Sequence, residues 1–453
     1  MNSPKSRDTA NTELMKKVLL ITYDFPPRRT SAVYRVAAFA RYLSQAGWHP
    51  TVLTIETKQG DFKDPELAGK VPPDVRVECT PYLSVTGWEG GAATAVRSVG
   101  GLKSRYNEAR QPLFDRLLRS LGNFVRSCLY FPDYSVGWVP FGFLKGAELN
   151  LRHHFDAVFT TNPPRSGPVI GLLLKLLFGV PWVLEFMDPW YPPQGPVRRK
   201  SERWLQGLLV RRADMVVVMT EGHAQELRQR FNIPESKLAL VPNGFDEEDF
   251  LQISSPCHEM FEPGYLHLSH FGNVYPNHSG SFFPALAELV KECPEFRERV
   301  RVHIIGSPDE VIQRYTSMNG LREITRLHPF IPHAEALQAM QASDGLLVFL
   351  ADHDFCRLAI SSKIYEYLRV GRPILAIAYP GGLQQLIEQA QAGWVMPPED
   401  RAAIKWALLQ FAKLHSSRQP LPSPAPEFVS QFRWDRLAAQ LASILDEVTH
   451  HDR

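Results

Sequence analysis

The stretch SSKIYEYLRVGRPILAIAYPGG, from Ser361 to Gly382, contains a helix pattern followed directly by a strand pattern. SKIYEYLRVG predicts a short helix closed by a glycine, and RPILAIAYPG is an apolar run of the length of a buried strand. Just upstream, HAEALQAMQASD predicts another helix and GLLVFL another strand. Strands that alternate with helices in this way predict a parallel sheet built from βαβ units.

The same alternation extends outward over most of the chain, in two blocks. The first block holds the strand-like runs KKVLLITYDF, HPTVLTI, DAVFTTN, VPWVLEF and ADMVVVM, with helix patterns such as VYRVAAFARYLSQAGW between them. The pattern stops at LQISSPCHEMFEPG, which predicts a hinge, and restarts with YLHLSHFGN. The sequence therefore predicts an α/β protein with two Rossmann-like, doubly wound domains that face each other across a cleft.

These blocks set the predicted domain boundaries. We predict an N-terminal domain at 1–255, a second domain at 256–425 and a C-terminal helix at 426–453 that packs back on the first domain. Near the last boundary, SSRQPLPSPAPE carries four prolines within seven residues, which excludes a helix and predicts a surface crossing. Ligands of doubly wound sheets bind beyond the carboxyl ends of the strands, so we expect the functional site there.

The composition argues against several classes of protein. With 44% hydrophobic residues, 22% charged residues and a net charge of +2, the 453-residue chain lacks the basic field that a nucleic-acid binder needs. Its five cysteines are scattered, which argues against a disulfide framework and a zinc ribbon. The longest apolar region contains Lys175 and Pro181 and predicts a buried helix entering a strand, not a membrane span. We expect a cytoplasmic protein without a secretion signal.

The start of the opening stretch has residues suited to binding a nucleotide. Ser361 and Ser362 can cap the helix, whose free N–H groups and positive dipole end suit a diphosphate, and Lys363 adds a cation beside them. Glu366 follows one turn later, where its carboxylate can accept two hydrogen bonds from a vicinal diol such as a nucleotide ribose. The alternative is a solvated Lys363–Glu366 pair near a helix start.

Several motifs together resemble one known family. VPNGFDEEDF, GNVYPNHS, SSKIYEYLRVGRPILA and the N-terminal YDFPP…YR occur between about Lys17 and Leu445 in the order and spacing of that family. In these motifs the chain resembles the retaining glycosyltransferases of the GT-B fold called group 1 or family four. FPDYSVGW, TTNPPRS and VPWVLEFMDPW look like a bacterial branch associated with cell-surface polysaccharide assembly. The resemblance implies a GT-B protein that uses a nucleotide-diphosphate sugar.

The resemblance also implies roles for single residues of the second domain. Glu366 would bind the donor ribose, and Ser362 and Lys363 would lie at the diphosphate. Gly272 and Asn273, which end a strand, would let the backbone approach the donor phosphates.

The chain departs from the family at several of these positions. At one position it agrees: the backbone near Ile331 in HPFIPH would pair with the base, as in the family. At another it departs: the family commonly has a glutamate eight residues before the ribose-binding one, and here that residue is Leu358. Basic residues that often follow the GNVYP-type strand are absent, so Lys363 or Arg357 must supply the positive charge. Arg357 has the alternative of a solvated loop arginine. One expected contact to the transferred sugar is therefore missing.

Three residues of the first domain are candidates for the acceptor or a phosphate. The family's glycine-rich turn is replaced by RRTSAVYR, in which Arg35 opens a helix and either contacts phosphate or an acceptor, or is an exposed first-turn residue. Asp188 follows a buried strand, where the resemblance implies a residue near the reacting sugar carbon. Its carboxylate could orient the acceptor hydroxyl or stabilise an oxocarbenium-like transition state; the alternative is a residue that caps a loop. Trp190 is either a stacking platform for the acceptor or a packing residue. Many relatives have arginine in place of Met187.

A basic segment suggests a membrane surface. Residues 97–126 hold seven basic and two acidic residues, and LFDRLLRSLGNFVRS within them predicts a basic amphipathic helix. Such a surface suits lipid-linked acceptors and a peripheral position on the inner face of the cell membrane. The alternative is a helix packed on its own domain with solvated arginines.

The expected activity is the transfer of a hexose-type sugar to a glycan or lipid-linked hydroxyl, with retention at the anomeric carbon. Lys363 and a helix N-terminus would stabilise the leaving diphosphate, with no metal and no other cofactor. Asp352-His353-Asp354 is the nearest sequence to a metal-binding carboxylate pair, but it precedes the donor helix in a loop. Two rivals are a non-catalytic GT-B partner or regulatory protein and a sugar-nucleotide epimerase.

Overall fold

The computed structural model describes residues 15–30, 32–58, 63–83, 130–190, 196–251, 253, 259–274, 279–307, 309–317, 320–350 and 358–450. These residues divide into two compact units. The first unit comprises the described residues of Met1–Val218, Leu227–Val241 and Ala438–Arg453, and the second those of Met219–Glu226 and Pro242–Leu437. The domain boundaries derived from the sequence, after residues 255 and 425, stay predictions.

The first unit contains a parallel sheet of seven described strands. They are β1 (Lys16–Ile21), β2 (Trp48–Ile55), β3 (Arg76–Thr80), β4 (Ala157–Asn162), β5 (Trp182–Phe186), β6 (Met215–Val218) and β7 (Leu238–Leu240). Their order in the sheet is β3-β2-β1-β4-β5-β6-β7, so the direction of winding reverses between β1 and β4. Every side chain of β4 and β5 is buried, as expected for central parallel strands covered on both faces.

Helices alternate with these strands along the chain. They are α1 (Val33–Tyr42), α2 (Pro65–Gly69), α3 (Val139–His153), α4 (Ser166–Phe178), α5 (Pro196–Arg212) and α6 (Glu221–Phe231). α1 continues into a 3₁₀ turn, Leu43–Ala46, which ends at Gly47 with a φ of 86°, a conformation that glycine adopts without strain. The glycine that closes this helix in the sequence pattern therefore closes it in the structure.

The second unit contains a parallel sheet of six described strands. They are β8 (Leu266–Phe271), β9 (Val300–Ile305), β10 (Thr325–His328), β11 (Gly345–Leu350), β12 (Ile374–Ala378) and β13 (Gly393–Met396). The order is β10-β9-β8-β11-β12-β13, which again reverses, here between β8 and β11. The prediction of an α/β protein with two doubly wound domains is confirmed.

The helices in the second half of the chain complete the fold. They are α7 (Glu247–Leu251), α8 (Phe282–Glu292), α9 (Pro294–Arg299), α10 (Glu310–Ser317), α11 (His333–Ala342), α12 (Lys363–Val370), α13 (Gly382–Ala390), α14 (Arg401–Ser416), α15 (Pro426–Ser430) and α16 (Trp434–His450). Apolar clusters lie on both faces of the six-stranded sheet. Leu347 belongs to one cluster and Leu346 to the other, because successive side chains of a strand point to opposite faces.

The C-terminal helix is shared between the two units. From Ala438 onward α16 belongs to the first unit, where Asp446 Oδ1 accepts hydrogen bonds from Lys16 Nζ at 2.7 Å and from Trp48 Nε1 at 3.2 Å. These bonds attach the end of the chain to the start of β1 and β2. None of the helices within the described ranges is both long enough and apolar enough to cross a membrane.

Candidate functional site

Gly272 and Lys363, which the sequence placed separately in a phosphate site, are in contact. Gly272 follows β8 with a φ of 125°, which L side chains rarely adopt, and its N–H donates to Ile305 O at 2.7 Å. An ideal Cβ on residue 272 would overlap Lys363 Nζ. The first residue of α12 therefore extends its ammonium group to the carboxyl end of β8.

A second glycine turn lies directly beside the first. Gly306 follows β9 with a φ of 144°, and an ideal Cβ there would lie 2.5 Å from Gly272 O. Its N–H donates to His328 O, at the end of β10, at 3.1 Å. The carboxyl ends of three neighbouring strands thus come together with the start of α12, where doubly wound sheets bind ligands. Asn273, the next residue after the first turn, is exposed.

Burial changes the acidity of Lys363. Loss of solvent lowers the pKa of the Lys363 ammonium below its ordinary value, and the nearby Glu366 carboxylate partly opposes this shift. A desolvated ammonium gains free energy when an anion binds beside it, because the anion replaces part of the lost hydration.

The start of α12 differs from the prediction in one respect. Ser362 occupies the N-cap position with helical backbone angles, and its side chain makes no capping hydrogen bond. Instead, the N–H groups of Ile364 and Tyr365 donate to the carbonyls of Ser361 and Ser362, at 3.1 and 3.3 Å. The predicted capping by the Ser362 hydroxyl is therefore wrong, because a tight turn already satisfies these donors.

Glu366 lies beside a histidine that the sequence analysis did not single out. His333 Nε2 is 2.8 Å from Glu366 Oε1, and His333 Nδ1 is 3.8 Å from Asp249 Oδ2. The side chains of Glu366 and His333 are 22% and 20% exposed. The alternative of a plain solvated Lys363–Glu366 pair thus does not describe this region, because Glu366 is bonded and Lys363 is directed at Gly272.

The remaining donor-site candidates of the second unit are spread over different elements. Ile331 is half-buried in the connection between β10 and α11 and packs against the apolar cluster that contains α12. Leu358 replaces the glutamate usual in the family. Its backbone carbonyl accepts a hydrogen bond from Thr220 Oγ1 at 2.6 Å. Arg357 and the Asp352–Asp354 segment lie outside the described residues.

Arg35 is buried in the first unit, so the alternative of an exposed first-turn residue is wrong. Only 2% of it is exposed, and its Nε donates to Glu185 Oε1 at 2.8 Å. Its Nη2 donates to Val241 O at 2.9 Å. Arg35 therefore joins α1 to the end of β5 and to the residue after β7. Its predicted contact with phosphate or an acceptor stays a prediction.

Glu185 is the counterion that sequence reasoning missed. Burial raises the pKa of its carboxyl group, and Arg35 opposes the shift. Glu185 Oε2 is buried without a hydrogen-bond partner in the described part of the chain. The signal was present in VPWVLEF, where a single charged residue interrupts an otherwise apolar strand.

Asp188 and Trp190 differ in their surroundings although they are two residues apart. Asp188 directly follows β5 and its turn, and it is exposed. Trp190 is buried, its Nε1 donates to Glu202 Oε2 at 3.1 Å, and the Arg165 guanidinium lies 4.7 Å from its ring centre. Trp190 therefore packs, in agreement with the packing alternative, whereas Asp188 has an accessible carboxylate.

One polar network connects the motifs FPDYSVGW and TTNPPRS. Asp133 accepts hydrogen bonds from the hydroxyls of Ser135 and Ser166, at 2.6 and 2.8 Å, and from the Arg165 N–H. Arg165 Nη1 lies 2.8 Å from the buried Glu202. These contacts explain why the two motifs occur together, because one carboxylate fixes both loops at the carboxyl end of β4.

Two family profiles match the chain. Residues 32–244 match the profile described as glycosyl transferase 4-like domain, and residues 268–413 match that described as glycosyl transferases group 1. The chain belongs to the group 1 glycosyltransferases. The resemblance to the group 1 and family four glycosyltransferases is thereby confirmed.

Curated relatives of this group 1 glycosyltransferase are distant. A D-inositol 3-phosphate glycosyltransferase of Streptomyces scabiei is 24% identical over 257 residues, which cover 54% of this chain and 56% of the relative. One from Corynebacterium urealyticum is 23% identical over 295 residues, covering 61% and 68%. The chain spans about half the length of the first of these relatives.

Solved structures show the same fold over nearly the whole chain. Sucrose-phosphate synthase from Thermosynechococcus elongatus has a TM-score of 0.67 at 15% identity and covers 96% of this chain and 100% of its own. The Anabaena protein HepE, solved in complex with UDP and glucose, has a TM-score of 0.61 at 14% identity, with 95% and 100% covered. The predicted GT-B fold class is confirmed.

Proposed function

We propose that this group 1 glycosyltransferase moves a sugar from a nucleotide diphosphate to a hydroxyl of a glycan or lipid-linked acceptor, with retention and without a metal. The observation that carries the proposal is the contact of Lys363 Nζ with the Gly272 turn. It combines a desolvated cation, a helix start and a close backbone approach at the carboxyl ends of β8 and β9. HepE, solved with UDP and glucose, has the same fold.

The donor would be held by its diphosphate and its ribose. Lys363 would neutralise the charge that develops on the diphosphate as the bond to the anomeric carbon breaks, which is the electrostatic help that a leaving group needs. Glu366, one turn along α12, would accept hydrogen bonds from the ribose hydroxyls. The backbone near Ile331 would pair with the base. Leu358 leaves the transferred sugar without the carboxylate contact usual in the family.

For the first unit we propose that Asp188 handles the acceptor. Its accessible carboxylate after β5 can accept a hydrogen bond from an acceptor hydroxyl and stabilise positive charge at the anomeric carbon. The guanidinium of Arg35 is buried against Glu185, so we assign the contact with the acceptor hydroxyl to Asp188. The role of Arg35 in this proposal is to hold β5, and hence the approach to Asp188, in place.

The activity is tested by nucleotide release. Purified protein is incubated with UDP-, GDP- and ADP-sugars, with and without glycan and lipid-linked acceptors, in the presence and absence of a chelator. We expect acceptor-dependent release of one nucleoside diphosphate, unaffected by the chelator, and an α-linked product from an α-linked donor. Lys363→Met should lower turnover by a factor of about 100 or more, the size typical of losing an electrostatic group. Release from no donor would overturn the proposal.

Leu358, Met187 and the replaced glycine-rich turn motivate one rival function, that of a non-catalytic partner. The same assay separates it from the second rival, an epimerase. A non-catalytic partner would bind a nucleoside diphosphate without turnover, and Glu366→Ala would leave cellular activity unchanged. An epimerase would convert the donor sugar with no acceptor present. Conversion that requires an acceptor excludes both rivals.

We further propose that the protein acts at a membrane surface. Residues 97–126 lie outside the described residues, but α5 offers a second basic surface. Trp204 is 62% exposed, and the same helix carries exposed basic side chains before and after it in the sequence. None of them makes an ion pair with a described residue: Arg199, Lys200, Arg203, Arg211 and Arg212. Cations around an exposed tryptophan suit an anionic lipid surface.

Vesicle sedimentation tests the membrane proposal. Binding to vesicles with anionic lipid should exceed binding to neutral vesicles and should fall with salt. A triple variant Arg199→Ser/Lys200→Ser/Arg203→Ser should bind less. Arg401→Ser is the matched control, because Arg401 is an exposed helical cation that already pairs with Glu288 at 2.7 Å. Equal binding to neutral and anionic vesicles would contradict the proposal.

A further inference from the structure

His333 and Glu366 form a directed hydrogen bond. His333 Nε2 and Glu366 Oε1 are 2.8 Å apart, and a carboxylate oxygen can only accept, so Nε2 carries the hydrogen and donates. No other described residue donates to the Glu366 carboxylate, and Oε2 is not buried. One oxygen of the carboxylate is therefore fixed while the other remains accessible.

The imidazole itself is held from two sides. His333 is the first residue of α11, directly after Pro332, whose ring restricts the backbone angle there. Asp249 of α7 lies 3.8 Å from Nδ1, so the ring stands between two carboxylates. α7 in turn is joined to α12 by Glu247 and Arg369, with Nε and Oε2 2.8 Å apart. The donor of the hydrogen bond is thus itself positioned by packing and charge.

We propose that His333 is a positioning residue that orients the Glu366 carboxylate for a vicinal diol and so sets the preference for ribonucleotides over 2′-deoxyribonucleotides. This inference rests on the proposed function, which assigns the ribose to Glu366. The terminal torsion of a glutamate is broad, so a carboxylate without His333 would sample many orientations. With Oε1 fixed, Oε2 is presented to the two hydroxyls in one orientation. The carboxylate has then already lost its conformational entropy before the ligand binds, so binding costs less.

A merely structural His333, which only ties α11 to α12, would have other consequences. Its loss would lower the thermal stability of the protein and would weaken the binding of ribonucleotides and deoxyribonucleotides equally. A positioning role predicts instead a loss that depends on the 2′-hydroxyl and that disappears when Glu366 is already absent. The coupling between the two side chains therefore distinguishes the roles.

The test is calorimetric titration of the full chain with UDP, GDP and ADP and then with the 2′-deoxy form of the tightest of them. The variants are His333→Ala, His333→Phe, which keeps a ring without a donor, His333→Gln, which restores an N–H, and Glu366→Ala with and without His333→Ala. His415→Ala is the matched control, because His415 Nε2 pairs with another carboxylate of the second unit, Asp344 Oδ1, at 3.2 Å.

We expect His333→Ala and His333→Phe to lose about tenfold in affinity for the ribonucleotide, the size of one hydrogen bond to a charged group, and little for the deoxyribonucleotide. His333→Gln should recover most of the preference, and His333→Ala should add nothing to Glu366→Ala. An undiminished ribose preference in both His333→Ala and His333→Phe overturns the inference alone. If the wild-type protein binds none of the three nucleoside diphosphates, the proposed function fails and this inference with it.

Discussion

Lys363 Nζ lies so close to Gly272 that it would overlap a Cβ atom on residue 272. This contact between the ammonium group of the half-buried Lys363 and a glycine turn joins two motifs that are 91 residues apart in the sequence. Its consequence is a narrow requirement for glycine, because any other residue must both adopt a φ of 125° and displace the ammonium group.

Gly272→Ala should therefore weaken nucleotide binding more than it weakens the fold. We expect a loss of tenfold or more in nucleoside diphosphate affinity, about 1.4 kcal/mol, because the displaced ammonium no longer meets the phosphates. Gly264→Ala is the control: Gly264 also has a positive φ, of 87°, but no atom lies within 4 Å of its would-be Cβ. If both variants lose affinity equally, backbone strain alone explains the effect. Titration calorimetry and thermal unfolding measure the two quantities.

Lys363 should give nucleotide binding a dependence on pH. Burial lowers the pKa of its ammonium group, so the free protein releases this proton at a lower pH than an ordinary lysine. Affinity for a nucleoside diphosphate should fall as the pH rises through that pKa, and Lys363→Met should bind weakly at every pH. Lys405→Met is the control, because hydrogen bonding to Glu292 raises the pKa of Lys405. An unchanged pH profile in Lys363→Met would contradict this assignment.

The candidate residues of the donor site could be predicted because each has a local signal in the sequence. Lys363 and Glu366 lie one turn apart on α12, and Gly272 ends a recognisable strand. His333 was missed because its bond to Glu366 exists only after α11 packs on α12. The capping by Ser362 was wrong because propensity does not reveal which turn the backbone takes before a helix.

The burial of Arg35 in the first unit could not be predicted from the sequence either. A residue in the first turn of α1 has no local reason to be buried, and its partner Glu185 is 150 residues away. The alternation of helix and strand, by contrast, is a local pattern repeated many times, so the fold class could be predicted from it. Long-range pairs of polar side chains carry no such periodic signal.

A chain of three histidines should make the second unit sensitive to acid. His303 Nε2 lies 2.9 Å from His267 Nδ1, and His303 Nδ1 lies 3.0 Å from His328 Nε2. His267 Nε2 must donate to the Glu262 carbonyl, at 2.9 Å, so each ring in the neutral chain carries its hydrogen on Nε2. Burial, and next the neighbouring His267, lower the pKa of His303 to about 3.

The sign of the effect follows from proton counting. The unfolded chain binds a proton at His303 below a pH of about 6.5, whereas the folded protein does so only near 3, so stability falls as the pH drops between these values. Between pH 7 and pH 5 the loss is about 2 kcal/mol from this residue. Urea unfolding of His303→Leu should show a shallower loss, and His49→Gln, in the first unit, should retain the wild-type slope. A His303→Leu protein as acid-sensitive as the wild type would contradict the argument.

The buried Arg35–Glu185 pair should respond very differently to single and double substitution. Arg35→Met leaves a buried carboxylate without its counterion, which costs about 3–5 kcal/mol of unfolding free energy. Arg35→Met/Glu185→Leu should recover at least half of that loss, although the Val241 carbonyl still loses its donor. Arg152→Met is the control, since the exposed Arg152–Glu148 pair should contribute less than about 1 kcal/mol. Additive losses in urea unfolding would show that the two side chains do not depend on each other.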